Sequence, residues 1–172
     1  MSTPIKQKGF TLLETIIYIG GLILLLGAIL GFLASTYDWY RNAIIGSRVD
    51  GVGVAMADNL IRSIRSGESV NPTGTAFGTT TGSLSLNALD ASSTAIIKKY
   101  ALASGRMTYQ ENSGSVQYLS PSDITISRLY FTDIATPISE AVKFDIDITY
   151  NLKGVSQTRT YSGVAVMRNS YE

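Results

Sequence analysis

Apolar residues dominate positions 15–37, which carry no charge between Glu14 and Asp38. At about 1.5 Å per helical residue this run is about 35 Å long, enough for a hydrocarbon core of about 30 Å. Past it the pattern changes but stays helical. Ile45, Val49, Val52, Met56, Leu60 and Ile64 recur at intervals of three or four, with Asp38, Arg41, Asp50, Asp58, Arg62 and Arg65 mainly off that stripe. Such spacing predicts an amphipathic helix with its apolar face on a core. Asn71-Pro72 ends the pattern, and Gly67 is a candidate cap. The two stretches read as one helix from about Thr11 to Ser66, about 84 Å long.

From there the period becomes two. Val142, Phe144, Ile146, Ile148, Tyr150 and Leu152 alternate with Lys143, Asp145, Asp147, Thr149, Asn151 and Lys153, which predicts a strand with one buried face. Lys153-Gly154 predicts a turn into a last strand, about Gln157 to Met167. Earlier candidates are Ser83–Asn87, Ala95–Leu102, Met107–Gln110, Val116–Leu119 and Ile124–Phe131. In the last of these the apolar phase slips between Ile126 and Leu129, which predicts a bulge near Ser127-Arg128. The uncharged, Thr- and Gly-rich stretch from Asn71 to Ser83 reads as a loop joining helix to sheet. The expected fold class is α+β, with an antiparallel β-sheet head on the amphipathic half of a long N-terminal helix.

Glu14 needs an explanation, because a carboxylate deep in lipid costs on the order of 2.5–3.5 kcal/mol. The residues before it are Lys8-Gly9-Phe10-Thr11-Leu12-Leu13. A short leader with Lys6 and Lys8, then glycine, phenylalanine, and an acid fifth from that phenylalanine, resembles the prepilin signal of type IV pilins and type II secretion pseudopilins. The resemblance implies cleavage after Gly9 and N-methylation of Phe10 by a prepilin peptidase/N-methyltransferase. It also implies a pilin-like fold and assembly with other pilin or pseudopilin subunits. The amine of Phe10 in one subunit would approach Glu14 of a neighbour, each charge lowering the other's cost where the dielectric is low. The alternative is that Glu14 snorkels to the cytoplasmic surface.

The resemblance divides the chain into a leader (1–9), a transmembrane or filament-core helix (10–37), the amphipathic half-helix (38–67) and a β-rich head (68–172). Lys6 and Lys8 place the N-terminus in the cytoplasm and the head outside it, in a single-pass inner-membrane protein. A secretory signal peptide fits less well, since its apolar core would be about 7–15 residues and Phe32-Leu33-Ala34-Ser35 is a poor cleavage site. An ordinary signal anchor remains open. Tyr37, Trp39 and Tyr40 form a candidate aromatic belt where the apolar run ends. Tyr100-Ala101-Leu102 with Gly105-Arg106-Met107, the segment Leu119 and Ile124–Phe131, and Val164 to Asn169 resemble J-type minor pseudopilins. One minor class of the family lacks the acid that Glu14 supplies, which argues against that tip subunit.

Seven glycines interrupt the helix: Gly20, Gly21, Gly27, Gly31, Gly46, Gly51 and Gly53. Each costs up to about 1 kcal/mol relative to alanine in a helix interior. Gly27 and Gly31 form a small-xxx-small pair, with Gly20 two turns earlier on nearly the same face. Such a face lets membrane helices approach closely. The competing account is ordinary glycine use in membrane helices.

Composition removes most chemistry. There is no cysteine, hence no disulfide or thiolate site, and no histidine, the usual general base and commonest transition-metal ligand. Asp145 and Asp147 could pair as an acid site or hold a cation, but they share a polar strand face with Lys143 and Thr149, and a solvated surface is the expectation. No cofactor, metal or enzymatic activity is expected. From Glu68 onward eight basic and nine acidic residues leave a net charge of −1, so no nucleic-acid partner is expected either. Only Lys98-Lys99 beside Tyr100 hints at a basic patch. The leading expectation is a structural subunit of a type IV pilus-like or type II secretion filament. The alternatives are a signal-anchored binding module outside any filament and, remotely, a membrane-tethered hydrolase using Asp145 and Asp147.

Overall fold

The computed structural model describes residues 11–134, 136, 139–152 and 154–168. Gly9 and Phe10 lie outside the described residues, as do Lys153 and Asn169. The chain divides into two compact units, Met1–Asn42 and Ala43–Glu172, and one helix, α1 (Leu12–Ser66), contributes to both.

In the first unit α1 has solvent-facing apolar side chains throughout, Ile16, Ile23, Leu24, Leu30 and Phe32 among them. Its most apolar 18-residue window has a mean hydropathy of 2.6 and no residue buried within the chain. A helix that served as the core of a soluble domain would bury this surface. This one is long and apolar enough to cross a membrane.

In the second unit α1 buries Ile45, Val49, Met56, Leu60 and Ile64, five of the six positions of the stripe that periodicity predicts, and Val52, the sixth, packs partly buried against the same core. Eight strands complete the head: β1 (Gly67–Val70), β2 (Ser83–Leu89), β3 (Ala95–Ala103), β4 (Arg106–Glu111), β5 (Gln117–Tyr118), β6 (Ile124–Asp133), β7 (Ala141–Leu152) and β8 (Val155–Val166). They form two antiparallel sheets, β1-β2-β3-β4-β5 and β6-β7-β8, where the sequence predicts a single one. One core joins them. Leu84, Leu86, Tyr100 and Met107 from the first sheet meet Ile124, Leu129, Phe131, Phe144, Ile146 and Ile148 from the second, under the apolar stripe of α1.

Local chemistry sets the connections. Between β3 and β4 only Ser104 and Gly105 lie outside the ladder, at φ 52° and 70°. Two positive φ values match the right-handed strand twist, as a type I′ hairpin requires, and glycine takes the second without strain. In β6 the register shifts between Ile126 and Arg128, the position of the expected bulge. The extra residue turns both Ile126 and Leu129 to the core.

Two features differ from the sequence expectation. β1 pairs with β2 directly after the helix, where Gly67 reads as no more than a cap. The Thr/Gly-rich stretch is also more than a joint. Gly78 N donates to Phe131 O at 2.9 Å, Gly82 N to Leu129 O at 2.7 Å, and Leu129 N to Thr80 O at 2.9 Å. The loop thus runs along the outer edge of β6 and satisfies its backbone.

Candidate functional site

The N-terminus of α1 begins with Thr11, whose Oγ1 accepts a hydrogen bond from Glu14 N at 3.3 Å. A threonine three residues before a glutamate is the capping-box spacing, in which the hydroxyl satisfies one of the unpaired amides of the first helical turn. An acid there also faces the positive end of the helix dipole. The bonded group is the Glu14 amide, so the cap is Thr11's, and the local contribution of the Glu14 carboxylate is its place at that positive end. The signal, Thr-Leu-Leu-Glu, stands in the sequence.

The glycines of α1 fall into two groups. At Gly20, Gly21, Gly27, Gly31 and Gly51 an added Cβ would meet nothing within 4 Å, so no contact inside the chain requires them. Gly46 and Gly53 differ. A Cβ at Gly53 would fall on the Tyr161 ring, and one at Gly46 would sit 3.4 Å from Arg159 Nη2. Between them on the same face is Asp50. Its carboxylate accepts two 2.9 Å hydrogen bonds from Arg159 Nη1 and one of 2.5 Å from the Tyr161 hydroxyl. The missing side chain at Gly53 lets the Tyr161 ring of β8 lie against the helix, Gly46 leaves ordinary contact room for Arg159, and Asp50 between them clamps the strand. Burial, then the hydrogen bond to Asp50 and its negative charge, push the Tyr161 hydroxyl up to about 12, and Arg159 partly offsets this.

The two strand carboxylates of β7 are engaged. Asp145 Oδ1 accepts from Ser162 Oγ at 2.5 Å, and Lys143 Nζ lies 3.6 Å from Asp145 Oδ2. Asp147 Oδ1 accepts from Thr160 Oγ1 at 2.6 Å, and Arg128 Nη1 lies 4.0 Å from Asp147 Oδ2. Each acid bonds its own cross-strand hydroxyl and its own cation, and no acid–base couple is formed. Among the described residues no three acidic, histidine or cysteine side chains cluster as metal ligands would.

The basic patch also dissolves. Tyr100 is buried, its hydroxyl 2.5 Å from Ser63 Oγ and 3.3 Å from Asn59 Oδ1 on α1. Burial raises its pKa, partly countered by the Ser63 bond. It is a core tyrosine and offers no surface ring beside Lys98 and Lys99. Tyr109, tilted against it with ring centroids 5.3 Å apart, is raised by burial and by its 2.8 Å bond to the Glu111 carboxylate. The head also has an open cleft of about 370 Å³ lined by Val70, Pro72, Thr75, Phe77, Asp133 and Glu140. Its Glu140 carboxylate accepts Val70 N at 2.7 Å, which ties the start of the long loop to the second sheet. No sequence pattern marks this cleft.

No family model matches the chain, and neither a curated protein nor a solved structure matches it. The functional argument rests on these residues.

Proposed function

We propose that this chain is a structural subunit, a minor pilin or pseudopilin, of a type IV pilus-like or type II secretion filament. Its leader is cut after Gly9, Phe10 becomes a methylated N-terminus, and the helix that follows holds the subunit in the membrane and then in the filament core. The new amine of Phe10 approaches Glu14 of an adjacent subunit, which fixes the axial register of neighbouring helices. Gly20, Gly27 and Gly31 let those helices come close.

The observation that carries this reading is the pairing of Gly9-Phe10 with an uncharged run, residues 15–37, whose glycines Gly20, Gly21, Gly27 and Gly31 serve no contact within the chain. Each glycine weakens the helix. A helix that merely anchors a head gains nothing in return, whereas one that packs against other helices does. The test is the intact mass of the protein purified from its native membrane. The expected mass is that of a chain beginning at methylated Phe10. A chain still carrying Met1–Gly9, with the processing enzyme present, overturns the proposal.

One observation favours the signal-anchor reading instead. An acid in the first turn of α1 is stabilised by the positive end of the helix dipole without any neighbour. On that reading an unrelated membrane span in place of residues 10–34 leaves function intact.

A further inference from the structure

The open cleft of about 370 Å³ in the head has no part in the proposed assembly, and its lining is divided by chemistry. One wall is apolar. Val70 ends β1, and Pro72 and Phe77 follow in the loop, with Val70 and Phe77 packed partly buried against the core. The other wall is acidic. Asp133 ends β6 and Glu140 directly precedes β7, so the two carboxylates stand on the two arms of one antiparallel connection. A cavity of this size, mostly apolar with a few convergent polar groups, is the usual form of a binding site.

The polar side chains of this lining accept hydrogen bonds and offer no donor. The Thr75 hydroxyl gives its proton to Asn71 O at 2.6 Å and accepts Ser85 N at 3.0 Å. Glu140 Oε2 accepts Val70 N at 2.7 Å, which holds the side chain against the wall, and a carboxylate has room for about four such bonds. Pro72 has no N–H, and no basic residue lines the cleft. An anion would therefore meet two like charges and no side-chain donor. A bare metal ion fits no better, since Ca²⁺ takes about six to eight oxygens and three of the six lining residues are apolar. The complement of this lining is an organic cation with N–H donors and an apolar stem.

We propose that the cleft receives an arginine side chain of a partner polypeptide, with the guanidinium at Asp133 and Glu140 and the stem on Val70, Pro72 and Phe77. Charge complementarity selects a cation, and the mixed lining selects guanidinium. Its planar fork of five N–H donors serves two carboxylates at once. It is more weakly hydrated than an ammonium and stacks on aromatic rings such as that of Phe77. The contact joins two different surfaces, so it sets no two-fold axis and leaves the direction of a partner's helices free. The site lies wholly in the head and does not depend on how the N-terminus is processed.

The test is a methyl NMR titration of the full chain in an uncharged detergent. It follows the Val70 methyls in the cleft and, as reference, those of Val116, exposed beside β5. The probe is N-acetyl-arginine N-methylamide, and the citrulline counterpart has the same length and nearly the same shape without the charge. The arginine probe is expected to shift Val70 but not Val116, and to bind about tenfold more tightly than the citrulline compound. Methylguanidine, which has the charge but no stem, is expected to bind about tenfold more weakly than the arginine probe. Glu140→Gln keeps an oxygen for Val70 N while removing a charge, and Asp133→Asn removes the other. Each is expected to weaken the arginine probe by about threefold at the parent's melting temperature. Equal affinity for the arginine and citrulline compounds overturns the proposal, whatever the variants do. So does methylguanidine binding as tightly as the arginine probe, a Val116 shift as large as that of Val70, or saturation of the Val70 shift by calcium chloride at matched ionic strength.

Discussion

At the scale of single residues, Glu14 has two candidate duties, and one substitution separates them. Glu14→Gln keeps the backbone amide that donates to Thr11 Oγ1 while removing the charge that faces the helix dipole. Thr11→Ala does the reverse, costing about 1 kcal/mol of capping and leaving the carboxylate. If Glu14 pairs with a neighbour's amine, Glu14→Gln is cleaved normally but absent from sheared filaments, while Thr11→Ala enters them. If its place at the helix dipole is the only duty, Glu14→Gln is incorporated like the parent, and immunoblotting of the filament fraction distinguishes the two. The glycines give a second residue-scale test. Gly51→Ala meets nothing and should raise stability by up to about 1 kcal/mol, the helix-propensity difference. Gly53→Ala gains the same propensity but drives a methyl into the Tyr161 ring, an overpacking that costs about 1–3 kcal/mol. The two variants are therefore expected to shift the melting temperature in opposite directions. Equal shifts would mean that the ring moves aside without cost.

At the scale of elements, what the sequence shows follows from what periodicity encodes. The stripe from Ile45 to Ile64 and the alternation from Val142 to Leu152 each report the face an element buries, and both are observed. The slip at Ser127 reports a bulge for the same reason. Periodicity does not encode partners. Nothing in the strands alone separates β5 from β6 into different sheets, and β1 is four residues behind a glycine that also reads as a cap. Asp50 and Tyr161 meet across 111 positions, and neither has a local pattern that names the other. Their contact joins α1 to β8 and has a pH signature. The Tyr161 hydroxyl ionises near 12 in the fold against an ordinary value of 10.0, so above pH 10 the unfolded chain binds fewer protons than the native one. Stability from this group is then full below pH 10 and falls as pH rises from about 10 to 12. Buried Tyr100 and Tyr109 act in the same direction. Tyr161→Phe should flatten the fall without abolishing it, as denaturant titrations across that window would show. A slope unchanged in Tyr161→Phe would mean that Asp50 does not hold the hydroxyl in solution.

At the scale of the whole molecule, the two units answer to different environments. Every member of the buried core lies between Ile45 and Met167, whereas the apolar run of residues 15–37 is exposed in full. One part of the chain satisfies itself, and the other leaves its apolar surface for lipid or for other helices. That division predicts that the head folds without the span. A chain beginning at Ala43 keeps all five buried apolar residues of the α1 stripe, from Ile45 to Ile64, and the whole of both sheets. It retains the ion pairs Arg48–Asp123, from α1 to the turn before β6, and Arg159–Asp50, from β8 to α1. What it gives up is the first eight turns or so of α1, none of which supplies a member of the core. The truncated chain should dissolve without detergent and melt cooperatively, with far- and near-ultraviolet circular dichroism lost together. If it melted without cooperativity or kept no near-ultraviolet signal, the helix before Ala43 would be needed to hold the head's packing. On the proposed reading, processing at Gly9 and burial of the span would then be coupled to folding of the head, and the order of events would change from folding before assembly to folding with it.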